Sequence, residues 1–102
     1  MEDKEHVLVD FFIVIESDNR ISRAHISMYA CLWKRWNDLI EGQSLIFFSY
    51  EIMPVCKISS HSTYHKTIRQ LHEYGYIKYT PSYNHYLGSI VEFAELSPKD
   101  KV

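Results

Sequence analysis

The sequence predicts an α+β fold in which helices predominate and a small antiparallel ribbon follows them. Apolar residues recur at helical spacing in the first 40 residues and again over 60–74. Apolar and polar residues alternate over 76–80 and 90–94, as they do in the strands of a half-buried ribbon. With 102 residues, 46% of them hydrophobic, we expect a single domain over residues 1–102.

The first helix is predicted over residues 5–16. Its apolar residues are separated by spacings of one, three, one and three, which form a stripe along a helix. β-Branched residues in the same segment leave a strand as the alternative. The residues of the stripe are Val7, Leu8, Phe11, Phe12 and Ile15.

The second helix is predicted over residues 22–40, with Ser22 as the N-cap and Gly42 after its end. Both tryptophans fall on its apolar face, so we expect them in the core rather than on a binding surface. That face contains Ile26, Tyr29, Ala30, Trp33, Trp36 and Ile40.

A short strand over 45–48 is expected at the edge of a small sheet. Ser49 is then predicted to cap a helix from Tyr50 to Cys56, and Pro54 should make that helix brief or irregular. A turn over 57–59 follows.

The last helix is predicted to begin after Ser60 as its N-cap and to stop at Gly75. The strands over 76–80 and 90–94 are joined by residues 81–89, a loop too long for a tight hairpin. This order of elements predicts a winged helix-turn-helix with an extra N-terminal helix and a small antiparallel wing. The motif covers 50–74, the wing ribbon covers 76–94, and 95–102 form a frayed tail.

Charge is distributed unevenly along a chain whose net charge is −2. Five basic and nine acidic residues precede Pro54, which gives −4. Four basic residues and one acidic residue lie over 54–91, which gives +3, and the remaining residues contribute −1. The basic segment is expected to meet phosphate, whereas the acidic half is free to face another protein.

We expect sequence-specific binding to double-stranded DNA, with candidate contacts in the turn, on the last helix with its cap, and on the ribbon with its loop. Arg69 is suited to guanine O6 and N7, Lys57 and Lys66 to phosphate, and small polar or imidazole side chains to base edges. Tyrosines on the loop suit sugars, and its amide and imidazole groups suit a minor-groove edge. The candidates are Lys57, Ser60, His61, Ser62, His65, Lys66, Arg69, Lys78, Tyr83, Asn84 and His85.

An enzyme is not expected, because the sequence has no phosphate loop, no paired-carboxylate signature and no nucleophile beside a base. His61 and His65 could share a metal with Cys56 nearby, but no acidic residue completes the set. We therefore expect no cofactor. The absence of a long apolar segment and of an export signal predicts a cytoplasmic protein without a membrane partner, with Cys31 and Cys56 as free thiols.

A protein-interaction module without DNA affinity is the alternative function. Val7, Phe11, Phe12 and Ile15 form a stripe that could pack on a second copy. A homodimer through this N-terminal helix would place two recognition helices on a palindromic DNA site.

A set of short motifs runs through most of the chain in a fixed order. The motifs are Ile26-Ser27-Met28-Tyr29, Trp36-Asn37, Lys57-Ile58, Ser60, Thr63-Tyr64-His65, residues 71–77, Tyr79, residues 81–84 and Gly88-Ser89. Through these motifs the chain resembles a family of small winged helix-turn-helix proteins carried by bacterial mobile elements such as conjugative transposons. The resemblance implies a role in transcription regulation or in handling the DNA of the element. His85 stands where proline is usual in that family, and Tyr86-Leu87 stands where an aromatic and a basic residue are common, so wing–phosphate contact is expected to be weak.

Overall fold

The computed structural model describes residues 4–84 and 86–98. Within these ranges the protein has a mainly helical α+β fold of four α-helices and one three-stranded antiparallel sheet, as the sequence predicts at this level. A 3-10 turn, Ile15–Ser17, follows the first helix. The elements are α1 (Glu5–Val14), α2 (Arg23–Asn37), β1 (Leu45–Phe47), α3 (Ser49–Cys56), α4 (His61–Glu73), β2 (Ile77–Thr80) and β3 (Ser89–Phe93).

The sheet has the strand order β1-β3-β2, so the last strand of the chain is the central one. Val91 of β3 lies opposite Leu45 on one side and Tyr79 on the other. The short β1 is an edge strand, as predicted. No helix of the described ranges is long and apolar enough to cross a membrane.

The core lies between the helices and one face of the sheet. Phe11 of α1 stacks on Tyr29 of α2 with ring centroids 3.7 Å apart, and Tyr76 meets the edge of the Phe11 ring. Both α3 and α4 contribute three buried side chains to the same cluster. All four helices are therefore held against one core.

Helix α1 buries a different stripe from the one expected at a dimer interface. Val7, Phe11 and Val14 are buried in the core of the same chain, because residues seven apart return to one side of a helix. The predicted homodimer surface is wrong in this respect, since two of its four residues are not available to a partner. The apolar side chains that α1 leaves exposed are Val9, Phe12 and Ile13.

Helix α2 ends at Asn37, three residues before the predicted end, and Ile40 is exposed. Its buried face is centred on Met28, Tyr29 and Leu32, so the two tryptophans lie at the flanks, half-buried. Lys4 Nζ donates hydrogen bonds to the carbonyls of Trp36 and Leu39. A cation at this end satisfies carbonyls that the helix itself leaves unpaired.

Helix α3 begins at Ser49 rather than after it, so Ser49 is not the N-cap. Phe48 takes that position, and its backbone N–H donates to Glu51 Oε1 at 2.9 Å. Pro54 lies inside this helix, which is only eight residues long, and the proline led us to expect a brief helix. The helix closes at Lys57, whose backbone is left-handed with φ 63°, and the Ile58 N–H donates to the Met53 carbonyl.

Helix α4 follows its prediction closely. Ser60 Oγ accepts the Thr63 N–H at 3.2 Å, and the chain leaves the helix through Gly75 at φ 89°. Its four buried residues are the predicted ones: Tyr64, Thr67, Ile68 and Leu71. At the other end of the chain, Leu96 packs against the core, so ordered structure extends past the predicted start of the frayed tail. The last four residues of that tail lie outside the described ranges.

Candidate nucleic-acid interface

The outer face of α4 is exposed and polar. Ser62, Lys66, Arg69 and Glu73 lie within a narrow arc of this face, opposite the four buried residues. Arg69 Nε donates to the His65 carbonyl at 3.3 Å, which holds the side chain against the helix. The two terminal nitrogens of the guanidinium remain available. This face can therefore offer donors to an incoming anion or base edge.

The orientation of α4 is fixed by a contact with α2. His25 is buried, and its Nδ1 accepts the backbone N–H of Ser22 at 2.9 Å. The proton of the neutral imidazole is therefore on Nε2, which donates to Gln70 Oε1 at 2.8 Å. Gln70 is turned toward α2 by this hydrogen bond. It positions the helix rather than the ligand.

The cations of the basic segment are not neutralised. Within the described residues, Lys57, Lys66, Arg69 and Lys78 are exposed and none has a carboxylate at ion-pair distance. In the acidic half, by contrast, cations pair with neighbouring carboxylates: Arg20 with Asp18, Lys34 with Asp38, and Arg35 with Glu51. Unpaired exposed cations keep their full attraction for phosphate.

A groove separates α4 from the loop over 81–89. We call it the wing groove. It is an open cavity of about 930 Å³, bounded by α4, by the loop and by the junction of β1 and α3. Five of the predicted contact residues line it: Ser62, His65, Arg69, Tyr83 and Asn84. The structure thus brings together side chains from two predicted contact regions.

The other predicted residues that the structure describes lie outside the groove. Lys66 is on the far side of the outer face of α4, and Lys57, His61 and Lys78 do not line the cavity. Ser60 Oγ accepts one backbone N–H to cap α4, and its hydroxyl hydrogen remains to donate. His85 lies outside the described residues.

The loop at the groove is organised by its own polar side chains. Ser82 Oγ accepts the Asn84 N–H at 3.2 Å, and Asn84 Oδ1 accepts the Tyr86 N–H at 2.9 Å. Tyr83 is 96% exposed and does not fold back onto the core. Asn84 therefore shapes the turn with its oxygen, and its amide hydrogens remain to donate to a ligand.

Aromatic residues at the opposite wall of the groove were not predicted as site residues. Phe48 and Tyr50 stack with ring centroids 5.3 Å apart and planes at 18°, and Tyr50 is nonetheless 71% exposed. The sequence feature that could have indicated them is the pair of aromatic residues, Phe48 and Tyr50, at the start of a short helix. A helix this short cannot bury both rings. Tyr64 lines the floor, where burial raises its pKa, so its hydroxyl stays protonated.

His72 is a second group outside the predicted set of contact residues. Its Nδ1 accepts the backbone N–H of Tyr79 at 3.0 Å, which ties the end of α4 to β2. It lines the groove together with Glu73. His72 thus helps to set the distance between the helix and the ribbon that carries the loop.

Neither a metal nor a thiol centre is indicated by this arrangement. The described residues include no group of three or more His, Cys, Asp or Glu side chains placed to hold a metal ion. Burial raises the pKa of both the Cys31 and the Cys56 thiol, which disfavours the reactive thiolate. Comparison with family models, with curated proteins and with solved structures finds no match to this chain.

Proposed function

We propose that the protein is a sequence-specific double-stranded DNA-binding protein of the winged helix-turn-helix type. In this proposal α3, the turn at Lys57 and α4 form the helix-turn-helix, β2 and β3 form the wing, and α1 is the additional helix. Helix α4 enters the major groove with its outer face, and the loop over 81–89 follows the neighbouring backbone. The observation that carries the proposal is the set of unpaired cations on and before α4.

The contacts divide into two kinds. Arg69 has free terminal nitrogens on an exposed helix face, and this is the geometry needed to meet guanine O6 and N7 together. Lys57 and Lys66 extend from the turn and the far side of α4, where they would meet phosphates and fix the register. Ser62 and His65 lie between these groups and would meet neighbouring base edges.

The biological role follows from the resemblance to proteins of bacterial mobile elements. We propose a cytoplasmic transcriptional regulator, or an accessory factor that handles the DNA of such an element. Both roles need the same DNA-binding surface.

The test is fluorescence-anisotropy titration with duplex DNA, random in sequence and from native flanking regions, at low and moderate salt. Affinity should fall steeply as salt rises, because binding releases counterions from phosphate. Lys66→Ala should reduce the salt slope by about 1, whereas Arg69→Ala should cost about 1–3 kcal/mol on its preferred sequence.

Lys34→Ala is the matched control, since Lys34 is an exposed lysine that already pairs with Asp38 in the acidic half. It should bind DNA like the wild type. Absence of binding to either duplex at low salt would overturn the proposal.

The second candidate function is protein binding, and it rests on the exposed apolar side chains of α1. Val9, Phe12 and Ile13 form a patch on the side of α1 away from the core. A protein-binding module would use this patch and show no DNA affinity. Light scattering of the wild type and of Ile13→Glu at micromolar concentration tests the homodimer version, because only a dimer through this patch would dissociate.

A further inference from the structure

We infer that the wing groove accepts an unpaired base, so that the protein prefers duplex DNA containing a locally melted segment over fully paired duplex. This inference rests on the proposed DNA-binding function and adds to it a preference for one DNA structure. The observation behind it is the pair of exposed aromatic rings, Tyr50 and Tyr83, on the groove walls, which the outer face of α4 does not supply.

The groove walls present exposed aromatic rings from both sides. Tyr50 stands on the wall at the start of α3 and is supported from behind by its stack with Phe48. Tyr83 stands on the loop, where almost its whole surface is exposed. Each of these rings leaves apolar surface exposed to water, and a flat partner stacked on the ring would bury that surface.

Paired bases cannot be that partner. In a duplex each base is stacked between its neighbours and shows only its edges in the grooves. An unpaired base offers its whole face, and stacking of such bases on aromatic side chains is the common chemistry of single-strand binding. The cavity of about 930 Å³ is of the size that takes small organic ligands, which leaves room for a base with its sugar.

The charges of the groove agree with a nucleotide. Arg69 lines the cavity beside His65, and its guanidinium can meet a phosphate or stack on a base. Glu73 is the acidic residue among the described lining residues, and it lies at the end of α4. Lys57 and Lys66 lie outside the cavity, where they remain available to the paired DNA on either side. Glu73→Gln should therefore tighten binding.

The test compares the affinity of the wild type for a duplex with its affinity for the same duplex carrying a short bubble of unpaired thymines. Tyr50→Ala and Tyr83→Ala are measured beside it, each with its phenylalanine counterpart. Both positions are exposed, so the fold should be retained, which circular dichroism checks. Tyr86→Ala is the matched control, because Tyr86 is 81% exposed on the same loop but does not line the cavity.

The expected result is tighter binding to the bubble, with that advantage reduced at least about fivefold by each alanine variant and retained by each phenylalanine variant. Tyr86→Ala should retain the advantage. A 5-iodouracil in the bubble should photo-cross-link to Tyr50 or Tyr83, as mapped by mass spectrometry.

Equal affinity for the two DNAs would overturn this inference and leave the proposed function intact. A bubble preference that both alanine variants retain would also overturn it. No affinity for either DNA would overturn the inference together with the proposed function, and a protein ligand would then be sought for the groove.

Discussion

The hydroxyl of Tyr76 donates a hydrogen bond of 2.6 Å to Oδ2 of Asp18, a residue 58 positions earlier in the chain. Asp18 also accepts bonds of 2.9 Å from Nε and Nη2 of Arg20. The Arg20 guanidinium in turn lies over the ring of Tyr74, 4.1 Å from its centre. This network ties the segment between α1 and α2 to the chain that leaves α4, and so fixes α1 on the core.

We expect this network to make the stability of the protein sensitive to acid. The hydrogen bonds from Arg20, supported by the one from Tyr76, hold the pKa of Asp18 well below its usual range. Such a carboxylate contributes stability that is complete above its unfolded-state pKa of about 3.9 and is lost as the pH falls toward the folded-state value. Wild type should therefore lose free energy of unfolding as the pH falls through and below about 4.

Urea unfolding over a pH series checks this expectation. Asp18→Asn should be less stable at neutral pH by about 1–3 kcal/mol and should lose less stability on acidification. Asp38→Asn, at an exposed carboxylate paired with Lys34, is the control and should behave like the wild type. Parallel pH curves for wild type and Asp18→Asn would contradict the assigned role.

Replacement of Lys57 should separate folding from DNA binding. Lys57 has a left-handed backbone, which costs roughly 1–2 kcal/mol for a residue with a Cβ atom and nothing comparable for glycine. We expect the free energy of unfolding of Lys57→Gly to be no more than about 0.5 kcal/mol below that of the wild type, because the relief of strain offsets the added freedom of the unfolded chain. Its DNA affinity should fall, with a salt slope reduced by about 1.

Lys57→Arg controls for the charge and should bind like the wild type. Thermal unfolding and anisotropy titration give the two readouts. Unchanged DNA affinity in a folded Lys57→Gly protein would remove Lys57 from the proposed interface.

Replacement of Gln70 should lower stability without changing DNA contacts. Gln70→Ala removes the acceptor of the buried His25 Nε2–H, and an unpaired buried donor costs about 1–3 kcal/mol. Gln70→Glu keeps an acceptor at the same place and should recover most of the loss. Under conditions where it is folded, Gln70→Ala should bind DNA with the affinity of the wild type. Weaker DNA binding by folded Gln70→Ala would instead indicate that Gln70 contacts the DNA.

Gly88 should not tolerate a side chain. A Cβ atom at this position would lie 2.8 Å from the Phe47 carbonyl oxygen and 2.8 Å from Ile46 Cγ2, and the oxygen belongs to the backbone of β1. We expect Gly88→Ala to cost about 1–3 kcal/mol in urea unfolding, because β1 and the loop must move apart. Leu87→Ala, next to it and exposed, should have little effect. Equal stability of the two variants would show that the loop yields without cost.

The helices differ in how well their buried faces could be predicted. Helix α4 is polar except for Tyr64, Thr67, Ile68 and Leu71, so only one orientation buries its apolar surface. Helices α1 and α2 carry apolar residues on most of their circumference, and spacing alone does not choose among the possible faces. Tertiary contacts made the choice, with Phe11 stacked on Tyr29.

The candidate site could be predicted only in part, and the reason is similar. Residues on α4 share one helix, so their exposed face follows from periodicity. The opposite wall of the wing groove comes from the junction of β1 and α3, which is brought close by the pairing of β1 with β3. The sequence around Phe48 and Tyr50 does not indicate that long-range pairing. Their position in the same groove as Arg69 is therefore known only from the structure.

The hydrogen bond from Tyr79 N–H to His72 has a consequence for how these molecules behave in a concentrated solution. A strand at the border of a sheet normally offers free N–H groups, on which a strand from another molecule can grow. In β2 the imidazole of His72 already occupies the Tyr79 N–H. The opposite border, β1, is only three residues long. The two edges of the sheet therefore offer few free backbone groups on which a strand of another molecule could pair. We expect the folded protein to resist aggregation through strand pairing.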